Sequence, residues 1–167
     1  MHSRAHLIDS IDALLTLERE AIQAYATAID YVVDEPMTRA TLVSFRADQL
    51  RHLSELQGLW SALSPTASKP PSATSDALIK DRSAYAGLPG TTAILRVLKA
   101  NEDLLVRRYR AVLQERLPPG VLDVIRAHTN DQLRHRAWIA ARVDAFAKSA
   151  EWVSAAGSAT PSRSSWF

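Results

Sequence analysis

The sequence predicts an all-α fold, a four-helix bundle made of two similar helical hairpins, and three observations support this prediction. Apolar residues recur with a period near 3.5 in four long stretches of the chain. Breaks at Pro36 and at 118–120 divide these stretches into two pairs with very short turns, which favours antiparallel neighbours. The pentapeptide Asp-Gln-Leu-Arg-His occurs twice, at 48–52 and at 131–135, in the second helix of each pair.

Composition indicates a globular domain of ordinary size. The 167 residues are 47% hydrophobic and 23% charged, which allows a sizeable core. Twenty Lys and Arg stand against 18 Asp and Glu, a net charge of +2, so we expect neither a nucleic-acid nor a membrane partner. The absence of Cys excludes disulfides and thiolate chemistry. No apolar run resembles a signal peptide or a transmembrane helix, so we expect a cytoplasmic protein.

The first hairpin is predicted over residues 5–63. The apolar stripe of its first helix is interrupted by one charged residue, Glu18. In the second helix, which begins near Pro36, Gln49 and His52 lie three residues apart on the stripe. Counted from the turn near residue 35, Glu18 lies 17 residues back, and Gln49 and His52 lie 14 and 17 residues forward. The three residues are therefore predicted at one height on facing stripes.

A long connection, residues 64–90, is predicted to follow. Its first part contains three prolines and many Ser and Thr, which favours a loop. Ser75 and Asp76 are suited to cap a short helix that reaches about Ala86. The connection is long enough to span the bundle, so helices 2 and 3 are predicted to run in parallel, in an up-down-down-up arrangement.

The second hairpin, predicted over 91–148, repeats the geometry of the first. Its third helix is expected from Thr91 or Thr92 to about Arg116 and carries Glu102; the fourth carries Gln132 and His135. Residues 1–148 therefore form the predicted bundle. The Ser, Ala, Gly, Thr and Pro of residues 149–167 predict a flexible tail.

Together the hairpins place six polar residues at one level of the bundle interior: Glu18, Gln49, His52, Glu102, Gln132 and His135. Over residues 7–147 this pattern resembles the ferritin-like superfamily, which includes bacterioferritin and rubrerythrin, and it looks closest to small bacterial members of unassigned function. In that superfamily two helices each give a Glu, often with a Tyr seven residues later, and two give Glu-x-x-His. The resemblance implies a ferritin-like bundle that binds Fe, Mn or Zn through these six residues.

The chain departs from this pattern at the two glutamines. Where the family has a bridging carboxylate three residues before each His, this chain has Gln49 and Gln132. A neutral amide oxygen is a weaker ligand than a carboxylate, and only two carboxylates remain instead of four. This loss argues against oxygen chemistry and favours a protein that is not an enzyme.

Two hypotheses therefore stay open. In the first, one or two metal ions bind between the hairpins. In the second, the six residues form a metal-free polar core in a structural or stress-related protein that acts through protein partners and forms a homodimer. Direct Glu–His contacts near hydrogen-bond distance would favour the second hypothesis.

Other polar residues are predicted to have structural roles. Asp48 and Asp131 are expected to pair on the surface with the arginines three residues later; the alternative is a role as outer-shell partners or substitute ligands of a metal ion. Tyr25 and Tyr109 are interpreted as core aromatics whose hydroxyls reach a buried carboxylate. His128 is interpreted as a core histidine.

Overall fold

The computed structural model describes residues 4–64 and 77–158, and helices make up most of both ranges. The five helices, in chain order, are α1 (Arg4–Tyr31), α2 (Pro36–Leu63), α3 (Arg82–Tyr85), α4 (Gly90–Leu113) and α5 (Pro119–Ser158). Neither range contains a strand. The all-α prediction is therefore confirmed.

The turn between α1 and α2 is as short as the sequence predicts. Pro36 opens α2, where its fixed backbone angle and missing N–H are tolerated. Arg39 donates a hydrogen bond of 3.2 Å to the carbonyl oxygen of Ile29 and so satisfies one of the last carbonyls of α1. The short turn brings α2 back against α1 as an antiparallel neighbour, and both helices contribute residues to the same apolar clusters.

The second hairpin differs from the prediction at both ends. Gly90, whose φ of 78° lies in the left-handed region that favours glycine, opens α4, and this helix ends at Leu113 rather than near Arg116. Pro119 then opens α5. This helix continues to Ser158, ten residues past the boundary at Lys148, because Ala and Ser in this stretch do not oppose a helix. Residues 159–167 lie outside the described part of the chain.

The predicted helix from Ser75 to Ala86 is mostly absent. Ser75 and Asp76 fall outside the described residues, and residues 77–81 are not helical. Asn101 captures this segment by donating to the carbonyl of Ile79 at 2.8 Å and accepting from its N–H at 2.9 Å. Glu20 accepts the N–H of Leu78 at 3.2 Å. Side chains of α1 and α4 therefore supply the backbone partners that a helix would have supplied.

Contacts between the hairpins fix the helix directions. Tyr25 meets Glu102 while Glu18 meets Tyr109, so α1 and α4 are antiparallel. Pairs of contacting residues on α2 and α5 likewise run in opposite orders along the two helices. It follows that α2 and α4, which are the second and third long helices, run in parallel, as the sequence predicts.

Two apolar clusters occupy the two ends of the helical bundle. The first contains Leu14, Trp60 and Ile125, and the second contains Leu42, Leu95 and Ile139. On α2, α4 and α5 the polar residues singled out above lie between these clusters in sequence, whereas Glu18 of α1 lies within the first cluster, between Leu17 and Ala21. None of the described helices combines the length and the apolar character needed to cross a membrane.

Candidate functional site

The structure brings the six sequence-predicted residues together in one buried layer, which we call the polar layer. It consists of Glu18, Gln49, His52, Glu102, Gln132 and His135, and no member is more than 1% exposed. Four long helices each supply one or two members. Burial of so many polar groups costs free energy unless they bond to one another, so their partners determine what the layer can do.

At the centre of the polar layer two amides pair reciprocally. Nε2 of Gln49 donates to Oε1 of Gln132 at 2.9 Å, and Nε2 of Gln132 donates to Oε1 of Gln49 at 2.9 Å. The second proton of Gln132 Nε2 goes to Oε1 of Glu18 at 3.1 Å. The glutamines thus bond to each other across the two hairpins, in the positions where the ferritin-like pattern has bridging carboxylates.

Each buried carboxylate accepts a tyrosine hydroxyl from the other hairpin. Tyr25 donates to Oε1 of Glu102 at 2.5 Å, and Tyr109 donates to Oε1 of Glu18. Burial and the nearby carboxylates hold the pKa of both tyrosines well above the ordinary value. The other oxygen, Oε2, of each Glu is buried without a hydrogen-bond partner.

The two imidazoles are held from outside by carboxylates of the opposite hairpin. Nε2 of His52 lies 3.2 Å from Oδ2 of Asp131, and Nε2 of His135 lies 3.0 Å from Oδ2 of Asp48. These contacts cross from α2 to α5 in both directions. The positions of the two histidines therefore depend on the hairpins being docked.

The same two aspartates pair with two arginines in a four-residue set, the charge ring. Arg51 donates to Asp48 at 3.1 Å and to Asp131 at 2.7 Å. Arg134 donates to Asp48 at 2.8 Å and to Asp131 at 2.9 Å. The structure thus contains the expected pairs three residues apart, together with two cross-hairpin pairs that sequence reasoning missed. Hydrogen bonds from the ring and from the histidines outweigh partial burial and lower the pKa of both aspartates.

Burial and neighbouring charges give the titratable residues of the polar layer different pKa values. Burial raises the pKa of Glu102 to about 8, so this carboxyl is mostly protonated at neutral pH. Burial lowers the pKa of His135 to about 4, so this imidazole is neutral. Burial also opposes protonation of His52, but the carboxylates of Glu18 and Asp131 outweigh it and raise its pKa. Nδ1 of His52 lies 3.6 Å from Oε1 of Glu18, an ion-pair distance rather than a hydrogen bond.

The two sides of the layer differ in the ring that stacks on each histidine. His128 stacks on His52 with ring centres 4.0 Å apart, and Phe45 stacks on His135 at 4.1 Å. His128 is fully buried, in agreement with its interpretation as a core histidine. Its Nε2 lies 2.7 Å from Oε2 of Glu55, a surface residue that sequence reasoning missed. The sequence signal for this contact was the spacing: Glu55 follows His52 by about one helical turn, which places both on the same side of the helix.

The donor set does not form a metal cluster in this arrangement. Within residues 4–64 and 77–158, no three His, Asp or Glu side chains are grouped so that they could hold a metal ion. The inward Glu–His contacts are two separate pairs, with 3.6 Å between Glu18 and His52 and 4.0 Å between Glu102 and His135, both longer than the direct hydrogen bonds expected of a metal-free Glu–His pair. Each pair adjoins one amide of the central pair. The residues therefore do not fit the two-metal site that the resemblance implies.

Comparisons of the chain with protein-family models, with curated proteins and with solved structures give no match.

Proposed function

We propose that this chain is a metal-free, ferritin-like four-helix bundle that acts as a structural or stress-related protein through protein partners. The polar layer, in this proposal, fixes how the two hairpins dock and has no catalytic role. The remaining expectations from the sequence belong to the same proposal: a bacterial, cytoplasmic protein that forms a homodimer.

The reciprocal amide pair is the observation that carries this proposal. Gln49 and Gln132 use their oxygens and one N–H each on one another at 2.9 Å. Carboxylates at these two positions would repel each other unless a cation lay between them. Amides instead satisfy each other without any ion, and they do so in only one register of α2 against α5.

The charge balance of the layer also supports a metal-free state. At neutral pH the protonated Glu102 and the neutral His135 carry no charge. Two of the four titratable residues of the layer therefore need no metal ion to balance them. The third, His52, lies 3.6 Å from Glu18, and a buried contact of this kind favours one arrangement of the helices, although its net contribution to stability is small.

The test is metal content and metal uptake. We would purify the protein without a tag or chelator and measure Fe, Mn and Zn by elemental analysis, then add each divalent ion and follow thermal unfolding. The proposal expects far less than one equivalent of metal and no rise in the unfolding temperature, since a ligand that binds the native state stabilises it. Stoichiometric metal that disappears in the variant His52→Ala/His135→Ala, with helicity retained by circular dichroism, would overturn the proposal.

A weak metal-ion site between the hairpins is the second candidate. It is favoured by the buried Oε2 atoms of Glu18 and Glu102, which have no hydrogen-bond partner. The variant Gln49→Glu/Gln132→Glu restores the Glu-x-x-His spacing and separates the candidates. Uptake by the variant alone supports the metal-free proposal for the natural chain, whereas equal uptake by both proteins supports the second candidate.

A further inference from the structure

A groove of about 420 Å³ lies between α1 and α4, beside Ala77, and we call it the α1–α4 groove. Buried apolar side chains form its floor, and exposed residues form its rim. The floor contains Leu14, Leu17 and Val112, and the rim contains Ala13, Arg108 and Ala111. Both its volume and its apolar floor are typical of sites for small molecules, in which a few polar groups fix the orientation of the ligand.

Contacts between α4 and α1 fix which polar group lies at each end of the groove. Tyr109, the neighbour of Arg108, meets Glu18, so Arg108 lies at the end nearer the polar layer. Glu115 accepts a hydrogen bond of 2.8 Å from Ser10 at the other end. Seven residues of α4 separate the two ends, which corresponds to about 10 Å along the helix. The groove is therefore elongated, with a cation at one end and a carboxylate at the other.

The other polar groups of the groove already have partners within the protein. The hydroxyl of Ser10 donates to Glu115, and His6 lies 3.5 Å from the same carboxylate. The hydroxyl of Thr16 donates to the carbonyl oxygen of Asp12 at 3.1 Å. A ligand in the groove would therefore find a polar anchor at the guanidinium and apolar surface along the rest of its length.

Arg108 is an exposed cation in apolar surroundings. The residues one turn away from it on α4 are all apolar: Leu104, Leu105, Ala111 and Val112. Across the described ranges 4–64 and 77–158, its guanidinium has no ion pair and no hydrogen bond. By contrast, Arg142 in the groove between α2 and α5 pairs with Glu35 at 2.9 Å. The charge of Arg108 is thus free to bind an anion.

We propose that the α1–α4 groove binds a small monocarboxylate with an apolar tail, such as a medium-chain fatty acid. The carboxylate lies on the guanidinium of Arg108, whose planar N–H groups match its two oxygens. The tail lies along the floor and removes apolar surface from water. The groove shares no described lining residue with the polar layer, so this inference goes beyond the proposed function.

The polar groups of the groove disfavour other classes of small molecule. A sugar or a nucleotide needs several donors and acceptors, and the hydroxyls of the groove are already engaged. A cationic amphiphile would be repelled by Arg108, and the carboxylate at the opposite end is already hydrogen-bonded. A single-headed anion with an apolar body satisfies the one free charge and leaves no buried polar group without a partner.

The test is the binding of decanoate to the full chain, measured by isothermal titration calorimetry below the concentration at which decanoate forms micelles. We expect saturable binding at one site, and binding of decanol, which keeps the tail but lacks the charge, weaker by about tenfold. Arg108→Gln should weaken decanoate binding by about tenfold and leave decanol binding unchanged. Arg107→Gln, which removes an exposed charge outside the groove, is the matched control and should change neither.

A second variant tests the apolar part of the groove. Ala111 is exposed on the rim, so the larger side chain of Ala111→Phe fills the groove without entering the core. This variant should lose binding of both decanoate and decanol. Ala127→Phe, at an exposed position of α5, is the control and should bind both as the natural protein does. Urea unfolding and circular dichroism establish that each variant is folded.

Equal affinity for decanoate and decanol, or equal losses in Arg108→Gln and Arg107→Gln, would overturn the inference, because Arg108 would not be the anchor. Absence of saturable decanoate binding would also overturn it. If Ala111→Phe then changed the oligomeric state in size-exclusion chromatography while Ala127→Phe did not, the occupant of the groove would be a second copy of the chain.

Discussion

Tyr25 of α1 donates a hydrogen bond of 2.5 Å to Glu102 of α4, and Tyr109 of α4 likewise donates to Glu18 of α1, so each buried carboxylate accepts from a tyrosine of the other hairpin. A Tyr seven residues after a Glu lies two helical turns from it, too far for the two side chains to share a proton. The Tyr–Glu pairs therefore form only when the hairpins dock, and they tie the buried carboxylates to the docked state.

Removal of this hydroxyl tests the link between the hairpins. Tyr25→Phe leaves the ring in place but leaves Glu102 without its donor, and we expect unfolding free energy to fall by about 1–3 kcal/mol. Urea unfolding measures the change. Tyr31→Phe, at a half-buried ring that stacks on Tyr85, is the matched control and should cost about 0.5 kcal/mol or less. Equal effects of the two substitutions would contradict the role given to Tyr25.

The pH dependence of stability should reveal the raised pKa of Glu102, which is about 8 in the folded protein. The unfolded chain has the ordinary value near 4.3, so between these values the native state binds the extra proton. The contribution of Glu102 to the free energy of unfolding is then fully present below about pH 4. It is lost as pH rises toward the folded pKa, by about 1.4 kcal/mol per pH unit.

Glu102→Gln keeps an oxygen that accepts from Tyr25 and removes the titration. We expect its unfolding free energy to fall less steeply than that of the natural protein between pH 5 and pH 8 (about the window set by the two pKa values). The raised pKa of His52 changes stability with pH in the same direction, and the lowered pKa of His135 changes it in the opposite direction. The quantity to measure is therefore the difference between Glu102→Gln and the natural protein. Parallel curves would show that Glu102 is ionised in the folded state.

A double-mutant cycle measures the interaction free energy between the amides of Gln49 and Gln132. Gln49→Leu leaves the Gln132 amide with unpaired groups in a buried site, which should cost about 1–3 kcal/mol. Gln49→Leu/Gln132→Leu should cost less than the sum of the two single substitutions, because the unpaired partner is gone. Gln57→Leu, on the exposed face of α2, is the control and should change stability by about 0.5 kcal/mol or less. Additive effects would mean that the amides do not depend on each other.

The exposed salt bridges of the charge ring should contribute little to the free energy of unfolding, whereas the contacts of its aspartates with the buried histidines should contribute more. Arg51 is 43% exposed, so Arg51→Ala should cost about 1 kcal/mol or less, and the cost should shrink with added salt. Asp48→Ala also removes the partner of Nε2 of His135, and its cost should be larger and less sensitive to salt. Unfolding at two salt concentrations distinguishes the cases; the reverse order of costs would contradict this assignment.

The height of each polar residue was predictable from the sequence, whereas its partner was not. Tight turns fix the relative height of antiparallel helices, so counting from the turn placed Glu18 level with Gln49 and His52. Partners depend on how far one hairpin is rotated against the other, and no spacing within a hairpin encodes that angle. This is why the contact of Asp131 with His52 appeared only in the structure.

Two differences in secondary structure have tertiary or compositional causes. Residues 77–81 lost their predicted helix because Asn101 and Glu20, distant in sequence, bind their backbone. The extension of α5 to Ser158 reflects the fact that Ala and Ser oppose a helix only weakly. The same composition had predicted a flexible tail from residue 149. Neither outcome could be inferred from hydrophobic periodicity.

The Asp–His contacts between the two halves run in both directions, since each Asp of one pentapeptide lies within hydrogen-bond distance of the His of the other. A contact of this kind is self-complementary, like the isologous interface of a symmetric dimer. Two chains that exchange equivalent hairpins would therefore keep every one of these bonds and lose nothing at the interface. We expect domain-swapped dimers to accumulate when the protein is refolded at high concentration, as size-exclusion chromatography would show, and a strictly monomeric product would contradict this equivalence.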